Sequence, residues 1–320
     1  MNPQLGVLAG RSVFTAAGRP YGWEEVLRAA ELRGELDVLE RAAREGLACA
    51  RKAESEGTAP SAEAVRAAAT VFRYDRDLLA AEELEAWLDA RGLTIAGWNA
   101  QLRRMLLRER WAGELAQIDS AYPVGSAEVE AALFAEAVCT GFLGAAAERL
   151  AEDVALAAAE GADLEDLAGL TRAALAARGR APSATELARE IEAHALDWIR
   201  IEAETLELAD PEAAREAALC VRIDGRPLAE VAEDCGVPAQ RLVVYLGDAD
   251  PDLRVALVSA GAGELVGPVE HGSVHTLLQI REKADPEAGD PELGRRAAEV
   301  LTARTVERAL RDQVVWHERP

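Results

Sequence analysis

Aromatic residues are scarce in this chain of 320 residues: they make up 4% of the sequence, although half of all residues are hydrophobic. Alanine and leucine supply most of the apolar surface instead. Because these two residues lead the scale of helix propensity, the composition predicts a mainly helical protein. The length allows one large domain or two to three small ones, with ample core.

Basic residues are also in short supply. The chain has 35 Lys and Arg against 57 Asp and Glu, which gives a formal net charge of −22. A surface this negative repels phosphate backbones and anionic lipids, so neither nucleic-acid binding nor membrane docking is expected. The charge is compatible with cationic peptides as partners, and solubility alone accounts for it as simply.

The four cysteines form no C-x-x-C pair and no disulfide framework, which predicts free thiols in a reducing compartment. The first ten residues lack a basic start and a sustained apolar run. No stretch approaches the length of a membrane span. The sequence therefore predicts no signal peptide and a cytoplasmic location.

Recognisable cofactor and metal motifs are missing as well. No phosphate-binding glycine loop or G-x-S-x-G elbow occurs, so no cofactor is expected. His271 and His275 have H-x-x-x-H spacing beside Glu270, but they span a glycine turn and a strand, whereas zinc motifs of this spacing use one helix face. No metal site is therefore predicted. Glu202 and Glu204 share one strand face, where they could act in acid–base chemistry or simply face solvent.

Local signals divide the first part of the chain into helices after a short strand and turn at residues 12–23. Residues 24–51 have the pattern of one long helix, and Ser61 and Thr94 are natural N-caps of later helices. A break at residues 122–126 precedes an alanine-rich helical region. Ser183 opens a capping box whose helix is predicted to run to about Trp198.

Residues 251–281 are the most informative stretch. Pro251 begins a short helix, a Gly-Glu-Leu-Val-Gly-Pro-Val connection follows, and residues 274–280 form a closing apolar strand. Residues 201–208, in turn, alternate apolar and polar side chains and predict a strand with one buried face. The order strand, helix, helix, strand, helix, strand and the G-E-L-x-G-P-V run resemble the parvulin-type peptidyl-prolyl isomerases. The first 118 residues more loosely resemble the helical holder of SurA-like chaperones.

The resemblance implies a fold that is mainly α with a small α+β domain, in which a SurA-like helical holder is joined to a parvulin-like domain. The implied domains are a SurA-like N-terminal domain, a helical middle region, the parvulin-like domain, and a C-terminal helix and strand that return to the N-terminal domain; their ranges are 1–118, 119–199, 200–284 and 285–320. By the same resemblance, Val314–Trp316 is predicted to lie beside the strand around Val13.

Parvulin domains place histidines and a cysteine or aspartate around the prolyl bond, above an apolar pocket. The first family histidine falls on Glu204, and the last falls at Thr276 or, with a one-residue shift, at His275. Asp248 is near the loop of the central residue, as is Cys235. The resemblance therefore nominates His275, Glu204 and Asp248 as catalytic candidates in a domain whose family pattern is degenerate.

Five further residues are nominated for peptide binding. Leu253 falls on the pocket phenylalanine of the family, and Leu257 and Tyr245 are nominated with it. Trp98 and Trp87 lie in apolar stripes at helical spacing, which suits either a core or a peptide groove; the stripes also contain Leu84, Leu88, Leu102, Met105 and Leu106.

The implied function is that of a peptide-binding, chaperone-like protein that acts on an unfolded or precursor peptide, in a setting such as the maturation of ribosomally made peptide natural products. The alternative is an enzyme, either an active peptidyl-prolyl cis-trans isomerase or a peptide-modifying activity that reuses the parvulin groove. A scaffold that binds a peptide-modifying enzyme is the third possibility.

Overall fold

The computed structural model describes residues 11–317, so the N-terminal segment from which the lack of a signal peptide is predicted lies outside the described residues. The chain divides into two compact units. The first contains the residues up to Arg180 and those from Thr305 onward, and is called here the helical unit. The second, Ala181–Arg304, is called the sheet unit.

The helical unit is built from nine helices before Arg180 and a small sheet, among the residues described. Its strands are β1 (Ser12–Ala16), β2 (Arg19–Gly22) and β7 (Val314–Trp316), and its helices are α1 (Trp23–Leu32), α2 (Glu35–Glu56), α3 (Ala62–Tyr74), α4 (Ala81–Ala90), α5 (Ile95–Arg110), α6 (Leu115–Ala121), α7 (Ser126–Cys139), α8 (Phe142–Ala159) and α9 (Leu167–Arg178).

N-cap side chains begin several of these helices, as their sequence predicts. Ser61 accepts a hydrogen bond from the Ala64 N–H, and Thr94 accepts one from the Gly97 N–H. The predicted single helix over residues 24–51 is wrong, because the chain breaks between α1 and α2. Gly34 adopts a φ of 71° there, a left-handed conformation that ends the first helix and that glycine reaches without steric cost.

The small sheet of the helical unit joins the two ends of the chain. Its strand order is β2-β1-β7, and both neighbouring pairs are antiparallel. Phe14 lies opposite Trp316, with 5.4 Å between the ring centroids. The predicted pairing of Val314–Trp316 with the strand around Val13 is therefore confirmed.

The sheet unit has a four-stranded antiparallel sheet with the order β4-β3-β6-β5. Its strands are β3 (Arg200–Leu208), β4 (Gln240–Tyr245), β5 (Leu265–His271) and β6 (Val274–Ala284), and its helices are α10 (Ala184–Ala193), α11 (Pro211–Arg222), α12 (Leu228–Asp234) and α13 (Pro251–Ser259), with a 3-10 turn at Leu246–Asp248. The last helix, α14 (Pro291–Gln313), contributes residues to both units.

Strand β3 is buried on both faces, so the prediction of one buried face is wrong. Ile201 and Ala203 pack on one face with Leu257 of α13. Leu206 and Leu208 pack on the other face with residues of α11 and α12. The apolar positions change from odd to even numbers at Thr205, so β3 presents buried side chains first to one face of the sheet and then to the other.

Two other predicted elements end at different places. The Ser183 capping box is present, but its helix stops at Ala193 and does not reach Trp198. The connection predicted between the short helix and the closing strand contains a seven-residue strand, β5, which forms a hairpin with β6 across Gly272. The fold class, mainly α with a small α+β domain, is confirmed.

Within the described residues, no single helix has both the length and the apolar composition of a membrane span; α7 and α8 pass that test only together, with a bend of 72° between them.

Candidate functional site

The predicted catalytic positions Glu204 and His275 lie on the same face of the sheet as Leu206 and Leu208, the face that α11 and α12 cover. Residues directly opposite each other in an antiparallel sheet share a face. Glu204 is opposite Gln279, whereas His275 is opposite Leu208. Gln279 is four residues along β6 from His275, so Glu204 and His275 are roughly 13 Å apart along the strands.

Glu202 and Glu204 of β3 both form ion pairs with arginines. The Glu204 carboxylate forms an ion pair of 2.6 Å with Arg281. Glu202 accepts hydrogen bonds from Arg241, at 2.7 Å, and from Arg200. These bonds, that of Arg241 first, lower the pKa of Glu202 below its ordinary value. Glu202 is therefore held as a carboxylate, which suits an ion-pair ladder and not a general acid.

Asp248 lies at the other end of the sheet from His275. It belongs to the 3-10 turn that follows β4, whose last residue pairs with Arg200 at the start of β3. His275 pairs with Leu208 at the end of β3. Asp248 is ion-paired with Arg296. The structure thus does not bring the three catalytic candidates together.

The candidates on helix α13 differ in their accessibility. Leu257 is fully buried in the core between α13 and the sheet, and Leu253 is partly buried against the same core. Of these two leucines, only Leu253 is accessible to a ligand without a change of the core. Its neighbour Val255 is 75% exposed, so the outer face of α13 adds apolar surface.

Tyr245 is partly buried against a third small core of the sheet unit, which contains Trp198 and Leu293. The Arg296 guanidinium lies 4.1 Å from the centre of its ring. Burial, followed by the charge of Asp290, raises the pKa of the Tyr245 hydroxyl, so this side chain is neutral and anchors the end of β4.

The two candidate tryptophans belong to the helical unit, whereas the other six candidates belong to the sheet unit. Trp98 is 5% exposed and Trp87 is partly buried. Both rings contact Phe72 edge-on, with 5.5 Å between centroids. Arg91 covers Trp87 from 4.3 Å. Both rings therefore pack in or against the core, which is one of the two roles that their spacing allows. Met105, which belongs to the same apolar stripe as Trp98, is exposed.

The outer edge of β5 is closed. Ile280 donates its N–H to the Glu264 carbonyl at 2.9 Å, and the alternation of an antiparallel ladder then directs the backbone groups of Leu265 away from β6. Gly267 lies in the irregularity of the ladder that follows Val266. Arg222 of α11 donates to the carbonyls of both Leu265 and Gly267. Pro268, which has no N–H, follows directly.

The outer edge of β4, by contrast, has no such cover within the described part of the sheet unit. Leu246 donates its N–H to the Ile199 carbonyl at 2.9 Å. By the same alternation, Arg241, Val243 and Tyr245 direct their backbone groups away from β3. Val243 is 47% exposed in the middle of this edge. The sequence around β4 carries no local signal for which edge of the sheet is open.

A polar pocket of about 580 Å³ lies in the sheet unit between the end of α11 and the start of β5. Three arginines line it, and each has a partner: Arg222 donates to the carbonyls of β5, Arg226 pairs with Asp234, and Arg281 pairs with Glu204. None of the eight candidate residues lines this pocket.

No group of three or more His, Cys, Asp or Glu side chains within residues 11–317 has a geometry that could hold a metal ion. The cysteines are free thiols. Burial raises the pKa of Cys139 to about 12 and also raises that of Cys49. Both thiols are therefore poor nucleophiles at neutral pH.

Comparison with known proteins gives structural similarity only. No protein family and no curated protein sequence matches the chain. Solved structures that are similar to it include SurA-like chaperones from Campylobacter jejuni, described as PEB4 and Cj1289, with 9% identity, 96% of this chain and 99% of that chain covered, and a TM-score of 0.21.

Two structures of the foldase protein PrsA are similar over nearly the whole chain as well. The one from Lactococcus lactis has 9% identity, covers 97% of this chain and 96% of its own, and has a TM-score of 0.31. The one from Streptococcus pneumoniae has 9% identity, covers 95% and 93%, and has a TM-score of 0.32. Such identities and scores establish neither family membership nor activity for this chain.

Proposed function

We propose that this protein is a chaperone-like, peptide-binding protein, and that it takes an extended segment of an unfolded or precursor polypeptide as an added strand on β4. The observation that carries the proposal is the difference between the two edges of the sheet. Arg222 and Pro268 close the β5 edge, while β4 directs the backbone groups of three residues outward.

Binding of this kind suits clients of varied sequence. Main-chain hydrogen bonds supply the affinity of strand addition, and side-chain contacts supply a modest preference. The exposed side chain of Val243 offers an apolar contact beside that edge. The net charge of −22 favours basic clients over acidic ones.

The sheet favours binding over catalysis. Glu204 and Asp248 each form an ion pair with an arginine. His275 lies on the end of the sheet opposite Asp248. Prolyl isomerisation requires a pocket that stabilises the twisted amide, and these three groups cannot act on one bond. The proposal therefore includes a parvulin-like domain that has lost its catalytic set.

A cytoplasmic setting in the maturation of a ribosomally made precursor peptide is the finer form of this proposal, with a peptide-modifying enzyme as a second partner. Its support is the sequence resemblance together with the acidic charge. Co-purification of the chain with such an enzyme only in the presence of the precursor would support it, and equal recovery without the precursor would favour the scaffold alternative.

The decisive experiment is a titration of the full chain with a short, basic, proline-containing fluorescent peptide. Val243→Pro removes an outward N–H but no hydrogen bond to β3, because Val243 lies at a non-hydrogen-bonded position of that ladder. We expect it to weaken binding about tenfold, or about 1.4 kcal/mol. Val243→Ala keeps the N–H and is the matched control, with an expected loss of about twofold.

Unchanged affinity in Val243→Pro would contradict strand addition on β4. A prolyl isomerisation assay on the same peptide separates the enzyme alternative from the binding function. Turnover that disappears in His275→Ala would establish the isomerase, whereas binding without turnover agrees with the chaperone-like function.

A further inference from the structure

The open edge of β4 is complementary to a second copy of itself. It directs the backbone groups of every second residue outward, namely Arg241, Val243 and Tyr245, with Val243 in the middle. When two such edges meet antiparallel with Val243 opposite Val243, Arg241 of each copy lies opposite Tyr245 of the other. All three outward residues then belong to hydrogen-bonded pairs, which gives about six backbone hydrogen bonds.

The side chains of β4 suit this centred register on both faces of the sheet. On the α13 face, Leu242 and Val244 are partly buried against the core, and Leu242 of one copy would lie opposite Val244 of the other. On the opposite face, Val243 is 47% exposed and the Arg241 side chain is 73% exposed. Two valines meet there at the two-fold axis, and Arg241 lies beside an aromatic ring and not beside a like charge.

Other registers use the same edge less well. A shift of two residues places Val243 opposite Arg241 or Tyr245, and leaves one outward residue opposite a position beyond the end of β4. A shift of four residues places either the two Arg241 side chains or the two Tyr245 rings opposite each other. Like charges directly opposite destabilise a sheet. The pattern of β4 therefore specifies the centred register.

We propose that, in the absence of a client, the β4 edges of two copies pair in this register and form a two-fold symmetric dimer. An uncovered edge is a template for pairing with another chain, and the dimer joins the two sheets of its copies into one continuous sheet. It also covers the edge that the proposed function assigns to the client. The self-pairing rests on the open edge alone, whereas its role as a regulator of client binding rests on the proposed function.

The dimer should be weak and should strengthen with salt. Its short ladder is small beside a standard interface of about 1,600 Å², so we expect a Kd of about 10–100 µM. Each copy carries a net charge of −22, and added salt screens the repulsion between two copies. Binding of a basic peptide should depend on salt in the opposite direction, because salt screens an attraction in that case.

The test is sedimentation velocity of the full chain from about 1 to 200 µM, at about 0.15 and 0.5 M NaCl. We expect the unaltered protein to shift from monomer toward dimer as its concentration rises, and further at the higher salt. Val243→Pro removes the N–H at the two-fold axis and should raise the Kd at least about tenfold. Val243→Ala keeps that N–H and is the matched control, which should still dimerise.

The outcomes separate this inference from the proposed function. A chain that stays monomeric over this range, or a dimer that is equally stable in Val243→Pro, would overturn the self-pairing, even if the basic peptide binds. Dimerisation without any binding of the peptide would support the self-pairing and contradict the proposed function. When both hold, an excess of the peptide should dissociate the dimer.

Cysteine variants test the register. In the centred dimer, Val243→Cys brings two thiols together across the two-fold axis, at a Cα separation of about 5.5 Å that a disulfide can span. Arg241→Cys places its two thiols about 13 Å apart along the strands and is the control. Oxidised glutathione should therefore cross-link the first variant and leave the second at the background of the unaltered protein, in which Cys235 is exposed. Equal cross-linking of both variants above that background would refute this register.

Discussion

Arg281 lies 2.6 Å from the carboxylate of Glu204. Glu204 stands where the parvulin resemblance expects a histidine. Because the Arg281 side chain is half exposed, solvent screening limits the coupling of this pair to about 0.5–1 kcal/mol. We predict this coupling from a double-mutant cycle of Glu204→Ala and Arg281→Ala in urea unfolding. No coupling together with lost prolyl isomerisation in Glu204→Ala would assign the carboxylate to catalysis instead.

Removal of the Arg222 side chain should open the second edge of the sheet. Arg222 donates to the carbonyls of Leu265 and Gly267, and an uncovered edge is a template for pairing with another chain. We predict that Arg222→Ala increases self-association, measured by sedimentation velocity over a range of concentrations. Arg226→Ala, which breaks an exposed ion pair with Asp234, is the matched control and should remain unchanged.

If both variants associate to the same extent, the loss of positive charge explains the effect, and Arg222 does not protect the edge. If neither associates, Pro268 alone is sufficient to block pairing on β5.

Local signals in the sequence predict the parts of this fold that depend on near neighbours. Ser61, Thr94 and Ser183 cap helices because the hydroxyl reaches an N–H three residues later. Gly34 shows the limit of helical periodicity, since apolar spacing continues across it while its backbone leaves the helix. The pairing of β7 with β1 came from resemblance to a family and not from periodicity.

The features of the site that decide its function depend on contacts that are distant in sequence. Arg222 reaches a carbonyl 45 residues away on β5, and Arg296 reaches a carboxylate 48 residues away at Asp248. A surface arginine on an amphipathic helix has the same local pattern whether it faces solvent or closes a sheet edge. The sequence could therefore nominate Glu204 and Asp248 but not show that each is already paired.

The stability of the helical unit should depend on the ionisation of Glu35. Burial pushes the pKa of this carboxyl upward, but hydrogen bonds from Arg33 and Arg149 and their charges outweigh burial, so its pKa is below the ordinary value of 4.5. In the folded state the group therefore holds its proton less tightly than in the unfolded state. Its stabilising contribution is present above pH 4.5 and is lost as pH falls through the folded-state pKa.

We predict that Glu35→Gln lowers the free energy of unfolding by about 1 kcal/mol at neutral pH, and that the difference from the unaltered protein closes as the pH falls below 4.5. Urea unfolding at a series of pH values measures this difference. Glu54→Gln, at an exposed position of the same helix, should show no such trend. A difference that stays constant with pH would mean that packing, and not charge, explains the effect of Glu35→Gln.

Trp316 should carry most of the stability that β7 contributes to the helical unit. Its half-buried ring faces the fully buried Phe14, whereas Val315 on the same strand is 61% exposed. Complete burial would make truncation of a tryptophan cost about 3–5 kcal/mol, so the partial burial predicts about 2 kcal/mol for Trp316→Ala. Val315→Ala should change the free energy of unfolding by less than about 0.5 kcal/mol.

Hydrogen exchange of the β1 amides measures the effect of the contact between Trp316 and Phe14 on the sheet, because β7 pairs with β1 at Phe14, Thr15 and Ala16. Trp316→Ala should speed exchange along β1, while Val315→Ala leaves it unchanged. Equal effects of the two variants would show that the backbone ladder alone holds the two ends of the chain together. The ring contact between Phe14 and Trp316 would then contribute no specific stability.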